Sequence, residues 1–212
     1  MCGFVGAYSN QKKIRPKNFH SALKLLKHRG PDASSVWSKD ENLFLGHNRL
    51  SIIDTSSNSN QPFISKCKNA VIVFNGEIYN YQTLKKQLNS IGFRSGSDTE
   101  VILQGYLEQG SGFFSSLRGI YSFAIIDLRN EVELILVRDP GGVKPLYYKE
   151  DAGIMFASEI KAIKALSYQN SSFDETSIKQ YLNLGFIPEP NTVYKDIHSI
   201  RPGYILKFSN NK

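Results

Sequence analysis

Cys2 carries the most reactive chemistry in this chain of 212 residues. It follows Met1 and is small enough for an aminopeptidase to remove that methionine. Removal leaves one residue with both a thiol and a free α-amine. A free thiol titrates near ~8.5 and an α-amine near ~7.7–8.0, so the amine accepts a proton close to neutrality, a few bonds from the sulfur. Nucleophile and base then come in one residue. Three other positions offer matching chemistry. Asn75-Gly76 follows the apolar run 70–74. It sets a side-chain amide donor beside a residue with no side chain to shield its N–H, and two converging donors make an oxyanion hole. Arg49 ends the run 43–48, and a guanidinium there can hold a carboxylate in a bidentate pair. Asp98, at a helix start, can accept from an ammonium group. Singly, each has a plainer reading: a small apolar residue opening a strand, an Asn-Gly turn, a surface ion pair, and an acid favoured by a helix dipole.

The elements that must position these residues follow from periodicity and punctuation. Strands are expected over residues 3–8, 35–37, 43–48, 70–74, 120–127, 133–138, 146–148, 154–157 and 204–208. Helices are expected over 18–27, 80–90, from a capping box at Ser97 and Glu100 to Gly110, and over 159–166 and 175–184. Residues 54–60 read as a polar loop, and 168–172 as a linker. Strands and helices cluster instead of alternating strictly, which predicts an α+β fold with antiparallel sheets.

Composition narrows the class. Hydrophobic residues make up 41% and charged residues 21%, values of an ordinary globular chain and not of a disordered or collagen-like one. No apolar run approaches the ~20 residues of a membrane span. With two cysteines, Cys2 and Cys67, there is no disulfide scaffold, and a reducing, cytoplasmic compartment is expected. The four histidines lack ligand spacing and there is no CxxC pair, so no metal is expected. The net charge is +7, and seven Lys or Arg, Lys12 among them, precede Pro31 with no acid between. Without a recognition motif or interleaved aromatics this reads as a solvated surface, and no nucleic acid is expected.

Order decides between the plain and the chemical readings. Met1-Cys2-Gly3, His28-Arg29-Gly30-Pro31-Asp32, Arg49-Leu50-Ser51-Ile52-Ile53-Asp54, Gln61-Pro62, Asn75-Gly76-Glu77-Ile78-Tyr79-Asn80, Gly96-Ser97-Asp98-Thr99-Glu100, and Arg138-Asp139 through Lys144-Pro145-Leu146-Tyr147-Tyr148 occur in that sequence. Together they resemble the class II glutamine amidotransferase domain of glutamine-hydrolysing asparagine synthetases, over nearly the whole chain. The resemblance implies a four-layer αββα sandwich, the N-terminal nucleophile hydrolase fold. It implies Cys2 as nucleophile with its own α-amine as base, and Asn75 and Gly76 as the oxyanion hole. It also implies Arg49 on the glutamine α-carboxylate, Glu77 and Asp98 on the α-ammonium, and the Ile53 backbone beside the substrate. Glutamine is the expected substrate.

The same resemblance divides the chain into a glutaminase domain, 1–167, and a linker with the start of a synthetase domain, 168–212. That second domain is expected to act in cis or in trans and to amidate aspartate with ATP and Mg; the glutaminase part needs no cofactor. Its Ser-Gly-Gly-x-Asp-Ser loop does not occur here. Alternatives are a stand-alone glutamine-binding module, or a glutaminase serving another amidation such as that of a sugar acid. A homodimer is left open. Gly141 stands where the family usually has a bulky residue, which predicts a looser loop. Cys67 has no assigned role.

Overall fold

The computed structural model describes residues 1–9, 11, 13–89, 92–167 and 169–209. Lys12, Ser90, Tyr168 and residues 210–212, which figure in the expectations above, lie outside the described residues.

The strands are β1 (Gly3–Tyr8), β2 (Ala33–Lys39), β3 (Leu43–Arg49), β4 (Phe63–Ile64), β5 (Ala70–Ile78), β6 (Gly119–Asp127), β7 (Glu133–Arg138), β8 (Tyr147–Glu150), β9 (Ile154–Ala157), β10 (His198–Ser199) and β11 (Ile205–Ser209). The helices are α1 (Pro16–Lys24), α2 (Tyr81–Gln87), α3 (Asp98–Gln109), α4 (Ile160–Leu166) and α5 (Glu175–Leu184). One sheet has the order β10-β8-β9-β1-β3-β2 and the other β11-β7-β6-β5-β4, with antiparallel pairing throughout.

Period-two alternation explains the layers. The central strands are apolar on both faces. Phe4, Leu45, Val71, Val73, Ala124, Ile126, Leu134, Leu136 and Phe156 fill the space between the sheets. Val5, Ala7, Phe44, Met155 and Ala157 face α1 and α4, while Ile72, Phe74, Phe123, Ile125 and Ile135 face α2 and α3. The result is the expected αββα sandwich.

Alternation also places the polar residues. Cys2 continues the inward series of Phe4, and His47 and Arg49 that of Leu43 and Leu45. Asn75 and Glu77 continue that of Val71 and Val73. Ser122 and Arg138 extend the inward series of β6 and β7 at the same end, since Ser122 pairs with both Asn75 and Arg138. The inter-sheet layer is therefore apolar along most of its length and polar at one end.

Three local expectations are revised. Asn75-Gly76 is not a turn: β5 runs straight through it to Ile78, with Gly76 opposite Tyr121. A Cβ on Gly76 would lie 2.2 Å from the Ile120 carbonyl oxygen, so the glycine serves close strand approach. The first helix starts earlier, at Pro16 in its first turn, and ends at Lys24; a 3-10 turn, Lys27–Arg29, follows. The capping box is half made: Ser97 Oγ accepts from Glu100 N at 3.4 Å, but the Glu100 carboxylate accepts from Arg94 N and Ser95 N instead of reaching Ser97 N.

Residues after 167, expected to form a linker and the start of another domain, are in part built into these sheets. β10 and β11 are edge strands, and Phe208 packs edge-on to Tyr8 at 5.9 Å between ring centroids. α5 is capped at its start by Asp174 and at its end by Gly185 in the left-handed conformation. Among the described residues no helix is long and apolar enough to cross a membrane.

Phe156 is fully buried between the sheets, and a Cβ on Gly6 would lie 2.1 Å from its ring. Phe156→Ala empties a site that rigid strands cannot collapse. It is expected to lower stability by about 3–5 kcal/mol in urea denaturation.

Candidate active site

All seven residues singled out from the sequence line one cavity of about 120 Å³: Cys2, Arg49, Ile53, Asn75, Gly76, Glu77 and Asp98. They come from the start of β1, the end of β3 and the loop after it, the end of β5, and the first turn of α3. Residues far apart in the chain meet here, where strand ends of the two sheets and the start of α3 come together.

Cys2 is held at its carbonyl by Arg29 and at its sulfur by Leu50. Arg29 Nε donates to the Cys2 carbonyl at 2.9 Å, and Arg29 Nη1 pairs with Glu159 Oε1 at 3.0 Å. Leu50 N donates to Cys2 Sγ at 3.4 Å. Burial pushes the Cys2 thiol up from its ordinary value, although the Leu50 N–H and the charges of the chain N-terminus and Arg49 pull the other way. A thiol in this state needs a base to become a thiolate.

Asn75 is 1% exposed, and its Nδ2 has no hydrogen-bond partner among the described residues. A buried donor without a partner is costly, and here it borders the cavity that holds Cys2. The strand beneath it is fixed from both sides. Phe74 N donates to Gln61 Oε1 at 2.6 Å, and His47 Nε2 lies 3.1 Å from the Phe74 carbonyl, which makes that nitrogen the donor.

Arg49 is more committed than its sequence position implies. Nη1 donates to the Ser56 carbonyl and to Asn60 Oδ1, both at 2.8 Å. Nη2 donates to the Asp54 carbonyl and, loosely at 3.5 Å, to that of Ile53. Nε–H is its unused donor among the described residues. The guanidinium thus shapes the loop after β3, and Asp54 secures that loop to the next. The Asp54 carboxylate accepts from Ser56 Oγ, Ser59 Oγ and Gly96 N at 2.6–2.7 Å, and the two hydroxyls and the amide hold it well below the usual carboxylate range.

Asp98 is buried at the start of α3 and accepts from Ile78 N at 3.0 Å. Desolvation, with help from the nearby Glu77 charge, raises its carboxyl to about 6. Glu77 itself is exposed at the cavity rim.

Gly141 does not loosen its loop. Arg138 donates to the carbonyls of Lys144, Gly142 and Ile200 and to Glu189. Asp139 accepts from Tyr121 N, Val143 N and Lys144 N. The residues without a role in the sequence reading are therefore Arg29, His47, Asp54, Gln61 and Lys144. All but His47 sat inside the quoted motifs, so position was a signal, but their work is done through space. Cys67 is exposed and does not line the cavity.

A model of the glutamine amidotransferase domain matches residues 1–212. The chain belongs to the glutamine amidotransferase domain family. This amidotransferase domain is 36% identical over 210 residues to asparagine synthetase [glutamine-hydrolyzing] 1 of Bacillus subtilis, covering 96% of this chain and 33% of that protein. It is 38% identical over 169 residues to asparagine synthetase B [glutamine-hydrolyzing] of Escherichia coli, covering 77% of this chain and 30% of the relative. The chain thus spans about a third of these relatives. Its fold is similar to part of the glutamine phosphoribosylpyrophosphate amidotransferase from B. subtilis, with a TM-score of 0.72 at 22% identity over 99% of this chain and 47% of that one.

His47 gives this amidotransferase domain a pH signature. Complete burial lowers its ring to about 4 from 6.5, so it is neutral when folded and protonates first in the unfolded chain. Its contribution to stability is full above about pH 6.5 and falls away as pH drops toward 4, by about 3 kcal/mol in all. Asp98 acts oppositely: with a carboxyl near 6 against 3.8 unfolded, it favours the folded state as pH falls through that window. His47→Gln, which keeps a neutral donor, is expected to flatten the loss of stability between pH 6.5 and 4, measured by urea denaturation at several pH values.

Proposed function

We propose that this chain is a glutaminase that supplies ammonia to a synthetase domain. The observation that carries the reading is the buried, unpartnered Asn75 Nδ2 at the cavity that holds Cys2. An acyl-transfer site needs such a donor held idle until an oxyanion forms.

With Met1 removed, the α-amine of Cys2 takes the thiol proton. The thiolate adds to the side-chain amide carbon of glutamine, and Asn75 Nδ2–H with the Gly76 N–H stabilises the oxyanion. The C–N bond breaks, and the ammonium form of the amine returns its proton to the departing ammonia. Water, deprotonated by the same amine, then cleaves the thioester to glutamate and restores the thiol. Arg49 takes the substrate α-carboxylate through Nε–H and through Nη2, whose 3.5 Å contact to Ile53 is its loosest. Asp98 and Glu77 take the α-ammonium, and the Ile53 backbone closes the wall.

The ammonia serves ATP-dependent amidation of aspartate by a synthetase domain, as the names of the two asparagine synthetase relatives support. Another acceptor is the alternative, since a further relative, 35% identical over 193 residues, is named amidase chry2, from Gibberella zeae.

Glutamate release is expected from the Met1-free protein and not from Cys2→Ala, and protein that keeps Met1 is expected to be inactive. N-terminal mass analysis and a glutamate assay check both. Asn75→Ala is expected to lower kcat on the order of 10²–10³-fold with little change in KM. Because an ammonium beside Asp98 lowers its raised carboxyl, glutamine binding to Cys2→Ala near pH 6 is expected to release protons. Calorimetry in two buffers of different ionisation enthalpy reads that release.

A further inference from the structure

Lys144 is unexplained by the proposed mechanism. It is 8% exposed, lines the same cavity as Cys2, and makes no ion pair among the described residues. Among the described residues its Nζ has one hydrogen-bond partner, Met1 Sδ at 3.3 Å. A buried ammonium held only by a thioether is poorly compensated. That thioether belongs to the residue whose removal creates the base.

We infer that Lys144 is a positioning residue for that base: with Met1 gone, its ammonium stands beside the α-amine of Cys2 and keeps that amine unprotonated at neutral pH. This rests on the proposed glutaminase reading. A second cation nearby disfavours protonation of an amine, and a base is most useful when free at the working pH. Burial of the Lys144 stem limits screening by solvent.

The other charges around the chain start do not replace it. Arg29, whose Nη2 lies 4.0 Å from Met1 Sδ, is turned to Glu159, a carboxylate it shares with His28 and Lys161. Arg49, turned to the loop after β3, acts on Cys2 with the same sign. Asp98 and Glu77 line the same cavity, and their charge acts in the opposite direction. Asp139 directs its carboxylate at the N–H groups of Tyr121, Val143 and Lys144.

The test compares wild type, Lys144→Met and Lys144→Arg, each confirmed Met1-free. The acid limb of kcat/KM for glutamine is expected to move up by about one unit in Lys144→Met and to stay in place in Lys144→Arg. An unmoved limb in Lys144→Met overturns the inference, even if activity falls at every pH. Should Lys144→Met fail to fold, Lys144→Gln carries the same comparison. A second readout needs no activity: in the Met1-free Cys2→Ser background, the ¹³Cα shift of residue 2 titrates with the amine alone. Adding Lys144→Met is expected to raise that titration midpoint by about one unit. An unchanged midpoint overturns the inference. Absence of glutamine hydrolysis in wild type defeats only the functional reading, because the amine titration still reports on Lys144.

Discussion

The hydrogen bond from His47 Nε2 to the Phe74 carbonyl is the constraint on which the site depends. It crosses the inter-sheet layer where apolar packing gives way to polar residues, and it joins β3 to β5. Its donor is two residues from Arg49, and its acceptor precedes Asn75. A buried polar link surrounded by hydrophobic packing is strong because neither partner has water as an alternative. It fixes the separation of the two strand ends that carry Arg49 and Asn75, which line the cavity. Burial keeps the ring neutral, so the bond does not bring a charge beneath the cavity.

Around this link, the charged residues stabilise loops. Arg29 holds the Cys2 carbonyl, Arg49 gathers the carbonyls of the loop after β3, and Arg138 gathers those of 142, 144 and 200. Asp54 and Asp139 do the complementary work on N–H groups. Guanidinium and carboxylate suit this use, since each offers several charge-assisted bonds from one rigid end. The loops thereby gain order without secondary structure of their own. Asn75 Nδ2, a buried donor without a partner among the described residues, borders the cavity.

Much of the fold was legible because the central strands carry unbroken apolar runs and two of the helices, α3 and α5, begin at residues that cap them. Ser97, Asp174 and Gly185 mark helix ends as their types predict. Local preference failed at one informative place. Asn75-Gly76 has the composition of a turn, yet the neighbouring β6 backbone leaves room only for glycine in a continuing strand. There a partner distant in sequence overrode local preference. The strand expected over 204–208 forms as β11, and Leu206 and Phe208 complete the inter-sheet core from its edge.

The sequence by itself determined the chemistry: a thiol at position 2, an amide at 75, a guanidinium at 49, a carboxylate at 98, and the apolar alternation that makes two sheets. It could not say that these residues meet, because the chain separations are large and the pairing that closes them is non-local. The tertiary structure decided that, by continuing each strand's inward-facing series into the same end of one layer. It also decided which charges are spent and which are idle. Arg49 is largely occupied by its own loop, while Lys144 is buried beside the chain start without a carboxylate. Neither fact can be read from residue type, since a charge's role depends on what the fold packs against it.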